Sequence, residues 1–165
     1  MESYDPNYIK AQNRKIVFDL FMAEDQLSRA EIVRRTAMSF PTVMKITDFF
    51  MSKKLVYDTG VSVSNSDGAG RKGRLLKFNP NAYGAVGIVF EGKDKNMGFV
   101  NLKGEIIESI SLNAGDDAEN FRFSNLLDRI DGLIRSNGNI PCLGIGIGLP
   151  KAVNPEKKTM LEYSE

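Results

Sequence analysis

The stretch "LSRAEIVRRTAMSFPTVMKITDFF", residues 27–50, contains two helix starts in close succession. In the first, Ser28 is placed to cap a helix, and Glu31 is placed to reach back to that cap, which is the capping-box pattern. In the second, Ser39 takes the N-cap position and Pro41 falls in the first turn, where a missing N–H costs little. Only residues 36–38 separate the two helices, so a steep crossing is required. The pattern predicts a helix-turn-helix.

The second of these helices has an apolar stripe at helical spacing, made of Val43, Ile46, Thr47 and Phe50. The positions that lie away from this stripe are Pro41, Thr42, Met44, Lys45 and Asp48. This outer face has two interpretations. It is either the solvated face of a three-helix core or the outward face of a recognition helix, with its first turn aimed at base edges.

The flanking sequence completes this first domain. Before the stretch, an amphipathic helix is predicted over residues 8–22, with a stripe formed by Ile9, Ile16, Val17, Leu20 and Phe21. After it, extended segments at 53–63 and 74–80 are joined through the basic loop "GAGRKGR", residues 68–74. This pattern favours a hairpin, or wing, whose cations can reach phosphates or a narrow minor groove: Arg71, Lys72 and Arg74. A flexible linker loop is the alternative interpretation.

The second half of the chain begins a different pattern after Pro80. Strands are predicted over 85–90, 97–102 and 105–112, with a tight turn at Lys103-Gly104. A helix over 118–137 follows, with an apolar face made of Phe123, Leu126, Leu127, Ile130, Leu133 and Ile134. The segment "CLGIGIGLP", residues 142–150, is then predicted to be a buried strand.

The order β-β-β-α-β is the ribonuclease-H-like pattern. The fold class predicted for the chain is therefore α+β / α/β, in two domains. A winged helix-turn-helix is predicted for residues 1–80, and a ribonuclease-H-like lobe is predicted for residues 81–165.

The composition excludes several kinds of site. The 165 residues include 42% hydrophobic residues, enough for a packed core. There is no histidine and one cysteine, Cys142, so an internal disulfide, a Cys/His zinc site and a Ser-His or Cys-His nucleophile cannot be built. We expect Cys142 to be a core residue, and we expect no metal and no cofactor. The sequence has no membrane-spanning run and no signal peptide, which predicts a cytoplasmic location.

The net charge of +1 hides an asymmetry between the two halves. Residues 1–80 hold 13 Lys and Arg against 9 Asp and Glu, a balance of +4, whereas residues 81–165 hold 9 against 12, a balance of −3. A basic first half favours a polyanionic partner.

Four segments together resemble the ROK family (repressors, open reading frames and kinases), and within it the NagC/XylR-like transcriptional repressors. They are "NRKIVFDLF", "LSRAEIVRRTAMSFPTVMKITDFFMSKKLV", "GAGRKGRLLKFNP" and "LGIGIGLPKAVNP", and they follow the family's order and spacing. The resemblance implies a winged helix-turn-helix that binds operator DNA, joined to a sugar-sensing domain of the actin-like ATPase fold. It also implies that residues 81–165 form a partial ribonuclease-H-like (actin-like ATPase) lobe, the first lobe of that domain. The expected function is a sequence-specific regulator, a repressor of carbohydrate-utilisation genes, and not an enzyme.

The resemblance also implies which residues meet DNA. The third helix would lie in the major groove, with five residues near base edges and adjacent phosphates: Ser39, Phe40, Pro41, Thr42 and Lys45. Ser28 and Arg29 begin the second helix, whose N-terminus favours a phosphate. The wing would add Arg71, Lys72 and Arg74. The expected partner is double-stranded operator DNA, bound by a homodimer.

The sequence departs from the family pattern at the phosphate loop of the family's kinases, Asp-x-Gly-Gly-Thr. Val89 stands at the Asp position, Glu91 at the first Gly and Lys93 at the Thr, so we expect no ATP binding. Lys151 also follows Pro150 where the family has Gly. The chain ends before the family's catalytic aspartate, sugar contacts and zinc motif, which predicts a fragment or a short form, and a sugar effector only with the second lobe.

Two alternatives remain open at this point. One is a sugar kinase of the same family, which the altered phosphate loop disfavours. The other is a winged-helix module that binds protein, for which Met44 and Phe49 could begin an apolar outer stripe.

Overall fold

The computed structural model describes residues 5–63, 73–91, 94–112 and 123–149, together with 153–154, 156 and 159–160. The chain divides into two compact units, Met1–Ala82 and Tyr83–Glu165. In the part of the chain that the structure describes, no helix is long and apolar enough to cross a bilayer.

The first unit begins with three helices: α1 (Pro6–Ala23), α2 (Arg29–Thr36) and α3 (Phe40–Ser52). Asp5 caps α1 by accepting a hydrogen bond from the backbone N–H of Asn7 at 2.9 Å. All three predicted helices are therefore found, each within two residues of the predicted start.

A three-stranded antiparallel sheet completes this unit. Its strands are β1 (Gln26–Ser28), β2 (Val56–Val63) and β3 (Gly73–Phe78), in the order β1-β3-β2. The sequence predicts Ser28 as the N-cap of α2 and predicts no strand before it, so β1 was missed. It forms because Leu27 pairs with Leu76 of β3 and both side chains are fully buried.

The core of the first unit confirms the stripe predicted for α3, whose residues Val43, Ile46, Thr47 and Phe50 are all buried. The stripe predicted for α1 was partly wrong. Val17 and Phe21 are buried, but Ile9 and Ile16 are 40% and 45% exposed. The packed face of α1 is centred on Val17 and Phe21, and Ile16 lies about 100° around the helix from Val17.

The second unit contains four main strands and one helix. The elements are β4 (Gly84–Glu91), β5 (Asp94–Asn101), β6 (Ile106–Ser111), α4 (Phe123–Ser136) and β7 (Cys142–Gly148). The sheet order is β6-β5-β4-β7, with β7 parallel to β4 and the other pairs antiparallel. This is the element order predicted from the sequence. Two short strands, β8 (Val153–Asn154) and β9 (Thr159–Met160), pair with each other.

Helix α4 covers one face of this sheet, through a core that includes Val86, Ile88, Met97, Phe99, Leu126, Ile130 and Leu133.

Two expectations for this unit were wrong. Leu127, assigned to the apolar face of α4, is 52% exposed. Strand β7 is not buried either, since Leu143, Ile145 and Ile147 are 66%, 49% and 54% exposed. In the described residues β7 lies at the edge of the sheet with β4 as its one neighbour, and its alternate positions are glycines.

Candidate nucleic-acid interface

The start of α2 is fixed by its cap. The hydroxyl of Ser28 accepts a hydrogen bond from the backbone N–H of Glu31 at 3.2 Å, and Ser28 is only 4% exposed. The carboxylate of Glu31 pairs with Arg35 at 3.0 Å instead of accepting the second capping-box hydrogen bond, from the backbone N–H of Ser28. One half of the predicted capping box is therefore present, and the Ser28 hydroxyl is already occupied.

Arg29 holds α2 against α3. Its Nε donates to the hydroxyl of Thr47 and its Nη2 donates to the carboxylate of Asp48, both at 2.8 Å. The Arg29 side chain is 23% exposed and that of Asp48 is 54% exposed. Asp48 therefore compensates part of the Arg29 charge at the N-terminus of α2.

The turn between α2 and α3 is built from its own side chains. The Thr36 hydroxyl donates to the carbonyl of Ile32 at 2.7 Å and accepts from the N–H of Met38 at 3.3 Å. Ala37 ends α2 in the left-handed conformation, with φ 55°. A non-glycine residue in this region is uncommon, so the turn has a defined geometry with a local cost.

The first turn of α3 presents the predicted contact residues. Ser39 occupies the N-cap position, but its hydroxyl hydrogen-bonds Thr42 at 2.8 Å and makes no bond to a backbone N–H. Pro41 and Lys45 are exposed, and Phe40 is 51% exposed. The structure brings these five residues together on one end of α3.

Three consecutive residues define the two flanks of α3. Thr47 contacts Arg29 of α2, Asp48 lies on the exposed face, and the ring of Phe49 lies 3.5 Å from the guanidinium of Arg14 on α1. Successive residues are about 100° apart around a helix. The exposed face of α3 therefore has α2 along one side and α1 along the other.

The hairpin of β2 and β3 contains a bulge. Asp58 pairs with Leu76 and Ser62 pairs with Arg74, so β2 has extra residues between these two positions. The carboxylate of Asp58 accepts from the N–H of Gly60 at 2.8 Å, and Gly60 has φ 77°, which glycine adopts without strain. Such a bulge bends the strand and increases its twist.

Of the three cations predicted for the wing, Arg74 lies within the described residues. It lies on β3, is 64% exposed and donates to the carboxylate of Asp58 at 2.8 Å. This hydrogen bond, and secondly the one from Gly60, lowers the pKa of Asp58 below its ordinary value. Arg71 and Lys72 lie outside the described residues, and their role remains a prediction.

Two further observations concern the sites that an enzyme of this kind would use. No group of three or more His, Cys, Asp or Glu side chains is placed to hold a metal ion within the described ranges. Val89, which the resemblance places at the phosphate-loop aspartate of the kinases, lies on β4 and is 49% exposed. Lys93 lies outside the described residues.

Sequence reasoning missed three residues of this region. Asp48, Asp58 and Arg14 each contact a predicted interface residue or α3 itself. An acid on the outer face of α3 was visible in the sequence, but its partner on α2 was not. Contacts of this kind join residues from different elements and have no local signal.

Comparison with known proteins identifies relatives among repressors. The chain is 24% identical to a xylose repressor of Bacillus subtilis over 165 residues and 27% identical to one of Caldicellulosiruptor bescii over 157 residues. These alignments cover 96% and 93% of this chain but 41% and 38% of the relatives. The chain thus spans about two fifths of their length. Among models of protein families, none matches the chain.

The fold has a solved counterpart. A crystal structure of a ROK family transcriptional regulator, a homologue of the E. coli MLC protein, matches 92% of this chain with a TM-score of 0.64 and 20% identity. The match covers 38% of that protein. At this identity the comparison establishes a shared fold, which agrees with the mixed α/β architecture described above.

Proposed function

Because the chain resembles ROK-type repressors, as its sequence motifs predicted, we propose that its first unit is a winged helix-turn-helix that binds operator DNA. The protein would act as a transcriptional regulator, a repressor of carbohydrate-utilisation genes. One observation carries the proposal most: the inner stripe of α3 is buried, while its opposite face, with Pro41 and Lys45, is exposed.

In the proposed complex, α3 lies in the major groove with its N-terminal turn towards the bases. Thr42 and Ser39 offer hydroxyls, Lys45 offers a cation, and Phe40 and Pro41 offer apolar contacts to thymine methyl groups. These are the side chains from which we expect sequence discrimination.

The phosphate contacts would come from two other places. The N-terminus of α2, at Ser28 and Arg29, favours an anion through its backbone N–H groups, although the Ser28 hydroxyl is already used by the cap. The hairpin would contribute Arg71, Lys72 and Arg74, and the bulge at Gly60 supplies the bend that such a wing needs. Phosphate contacts of this kind add affinity on any sequence.

The site is not proposed to be catalytic. A kinase of the family would need the carboxylate that Val89 replaces, and kinase activity would be assayed as phosphorylation of a panel of hexoses with ATP.

We propose that the protein binds as a homodimer, as palindromic operators require, and that a sugar effector acts through parts of the relatives that lie beyond this chain.

A second candidate function, binding of a protein partner, is favoured by one observation. Phe40 and Met44 are four residues apart on α3 and are 51% and 43% exposed. A pair at this spacing forms an apolar patch on one side of a helix. Lys45 and Asp48 on the adjacent face favour DNA over an apolar groove.

Selection from a random duplex library, followed by fluorescence anisotropy on the recovered sites, tests the proposal. Lys45→Ala and Arg74→Ala should weaken binding to the recovered site, whereas Lys103→Ala, in the second unit, should leave it unchanged. If Phe40→Ala and Met44→Ala abolish capture of a protein and no DNA site is enriched, the protein-binding function replaces the regulator.

A further inference from the structure

A cleft of about 350 Å³ lies between the N-terminal half of α1 and the first turns of α3. Its polar lining consists of Lys10, Asn13, Arg14, Thr42 and Lys45, with Ile46 among the apolar residues. Among the described residues that line it, three are cations and none is an acid. A concave site with this lining favours an anion, and the amide of Asn13 and the hydroxyl of Thr42 supply further hydrogen-bond donors.

The guanidinium of Arg14 has a defined position in this cleft. It lies 3.5 Å from the centre of the Phe49 ring, and Arg14 is half-buried. A guanidinium over an aromatic face is held in place while the N–H donors at its edge stay available. Arg14 is therefore oriented by α3 itself.

The cleft lies on the α1 side of α3, opposite the side that Arg29 of α2 contacts. Lys45 belongs to both the exposed face of α3 and the cleft lining. A helix in a major groove about 12 Å wide has a sugar-phosphate backbone at each edge of that groove. If α3 occupies the groove, one backbone passes the N-terminus of α2 and the other passes the cleft.

We propose that this cleft, on the α1 side of α3, binds the backbone phosphates of the duplex that α3 reads, through Lys10 and Arg14, which lie beside Lys45 of α3. The inference rests on the proposed function and deepens it. Neither Lys10 nor Arg14 belongs to the residues expected to contact DNA from the sequence. Because the ligand is the backbone, the contribution is the same on every base sequence.

The test compares Lys10→Gln and Arg14→Gln with wild type in the full chain, on the selected duplex and on a scrambled one, over a range of salt concentrations. Lys15→Gln is the matched control, because Lys15 lies on the same helix, is 67% exposed, pairs with Asp19 at 2.5 Å and does not line the cleft. Each cleft variant should make the slope of log K against log salt shallower by about 0.9 per bound protomer. Affinity should fall by the same factor on both duplexes, and Lys15→Gln should match wild type.

The outcomes separate this inference from the function on which it rests. A wild type with no salt-dependent DNA binding overturns both. A wild type that binds DNA, with unchanged slopes for Lys10→Gln and Arg14→Gln, overturns the cleft alone. The proposal for the cleft is also overturned if Lys15→Gln loses as much DNA affinity as Lys10→Gln, or if the cleft variants lose affinity only for the selected duplex.

Free inorganic phosphate carries the same charged oxygens as the DNA backbone and is the alternative ligand for the cleft. Inorganic phosphate replaces chloride at constant ionic strength in the same titration. We expect wild type and Lys10→Gln to respond equally. If phosphate weakens DNA binding by wild type but not by Lys10→Gln, the cleft holds a free anion and the assignment to the DNA backbone is wrong. Melting curves confirm that the variants fold, and Arg14→Lys, which keeps the charge, should restore most of the slope.

Discussion

Neutralising Asp48 should change stability and DNA affinity in opposite directions. Asp48→Asn weakens the pair with Arg29, whose two side chains are 54% and 23% exposed and 2.8 Å apart. After solvent screening such a pair contributes about 0.5–1 kcal/mol. For a domain the size of the first unit, the melting temperature should fall by about 2–8 °C.

The same substitution removes a negative charge from the exposed face of α3. At a separation of about 8 Å in water, a carboxylate repels one phosphate by roughly 0.5 kcal/mol, and salt screens part of this. With two phosphates in range, Asp48→Asn should tighten DNA binding about twofold to fivefold. The gain should shrink as salt rises.

Asp19→Asn is the matched control for this experiment. Asp19 lies on α1, is 55% exposed and pairs with Lys15, so its substitution also breaks an exposed ion pair and changes the net charge equally. Thermal denaturation and fluorescence anisotropy are measured on both variants. Weaker binding by Asp48→Asn, or a gain no larger than that of Asp19→Asn, would refute the placement of this face of α3 against DNA.

Three further predictions concern the described structure. Ala37→Gly should raise the stability of the first unit by about 0.5–1 kcal/mol, because glycine relieves the left-handed φ of 55°, and a lower melting temperature would contradict this. Arg74→Gln should raise the pKa of Asp58, followed by NMR titration, because it removes the main hydrogen bond that lowers it. Because the pKa of Asp58 is depressed in the folded state, its contribution to stability is present at neutral pH and is lost as the pH falls through that folded-state pKa. An unchanged pKa of Asp58 in the variant would show that the ion pair does not form in solution. Gly84→Ala should destabilise the second unit by about 1–3 kcal/mol because a methyl group there meets a phenylalanine ring of β5. Gly87→Ala should cost far less, because beyond its chain neighbours no atom of the described residues lies within 4 Å of the added methyl group. Equal losses in chemical denaturation would contradict this packing.

The helices of the first unit could be predicted because their signals are local. Ser28 caps α2 and Pro41 falls in the first turn of α3, where short-range steric and hydrogen-bonding preferences decide the outcome. The buried stripe of α3 follows from the 3.6-residue period. These features need no knowledge of the rest of the chain.

The features that were missed depend on distant partners. Strand β1 exists because Leu27 meets Leu76, and the two are far apart in the sequence. Ile145 and Ile147 have the composition of a buried strand, but they lie at a sheet edge, which only the topology defines. For the same reason, the sequence predicted that Arg29 lies near a DNA phosphate, but it did not predict that the carboxylate of Asp48 compensates part of the Arg29 charge.

The salt dependence of binding to a selected duplex tests the central claim most directly. If a dimer neutralises about four phosphates per half, log K should fall with log salt at a slope of roughly −7. We predict this slope together with tighter binding to a selected palindrome than to its scrambled counterpart. A slope near zero, with equal affinity for both duplexes, would contradict the assignment of this protein as a DNA-binding regulator.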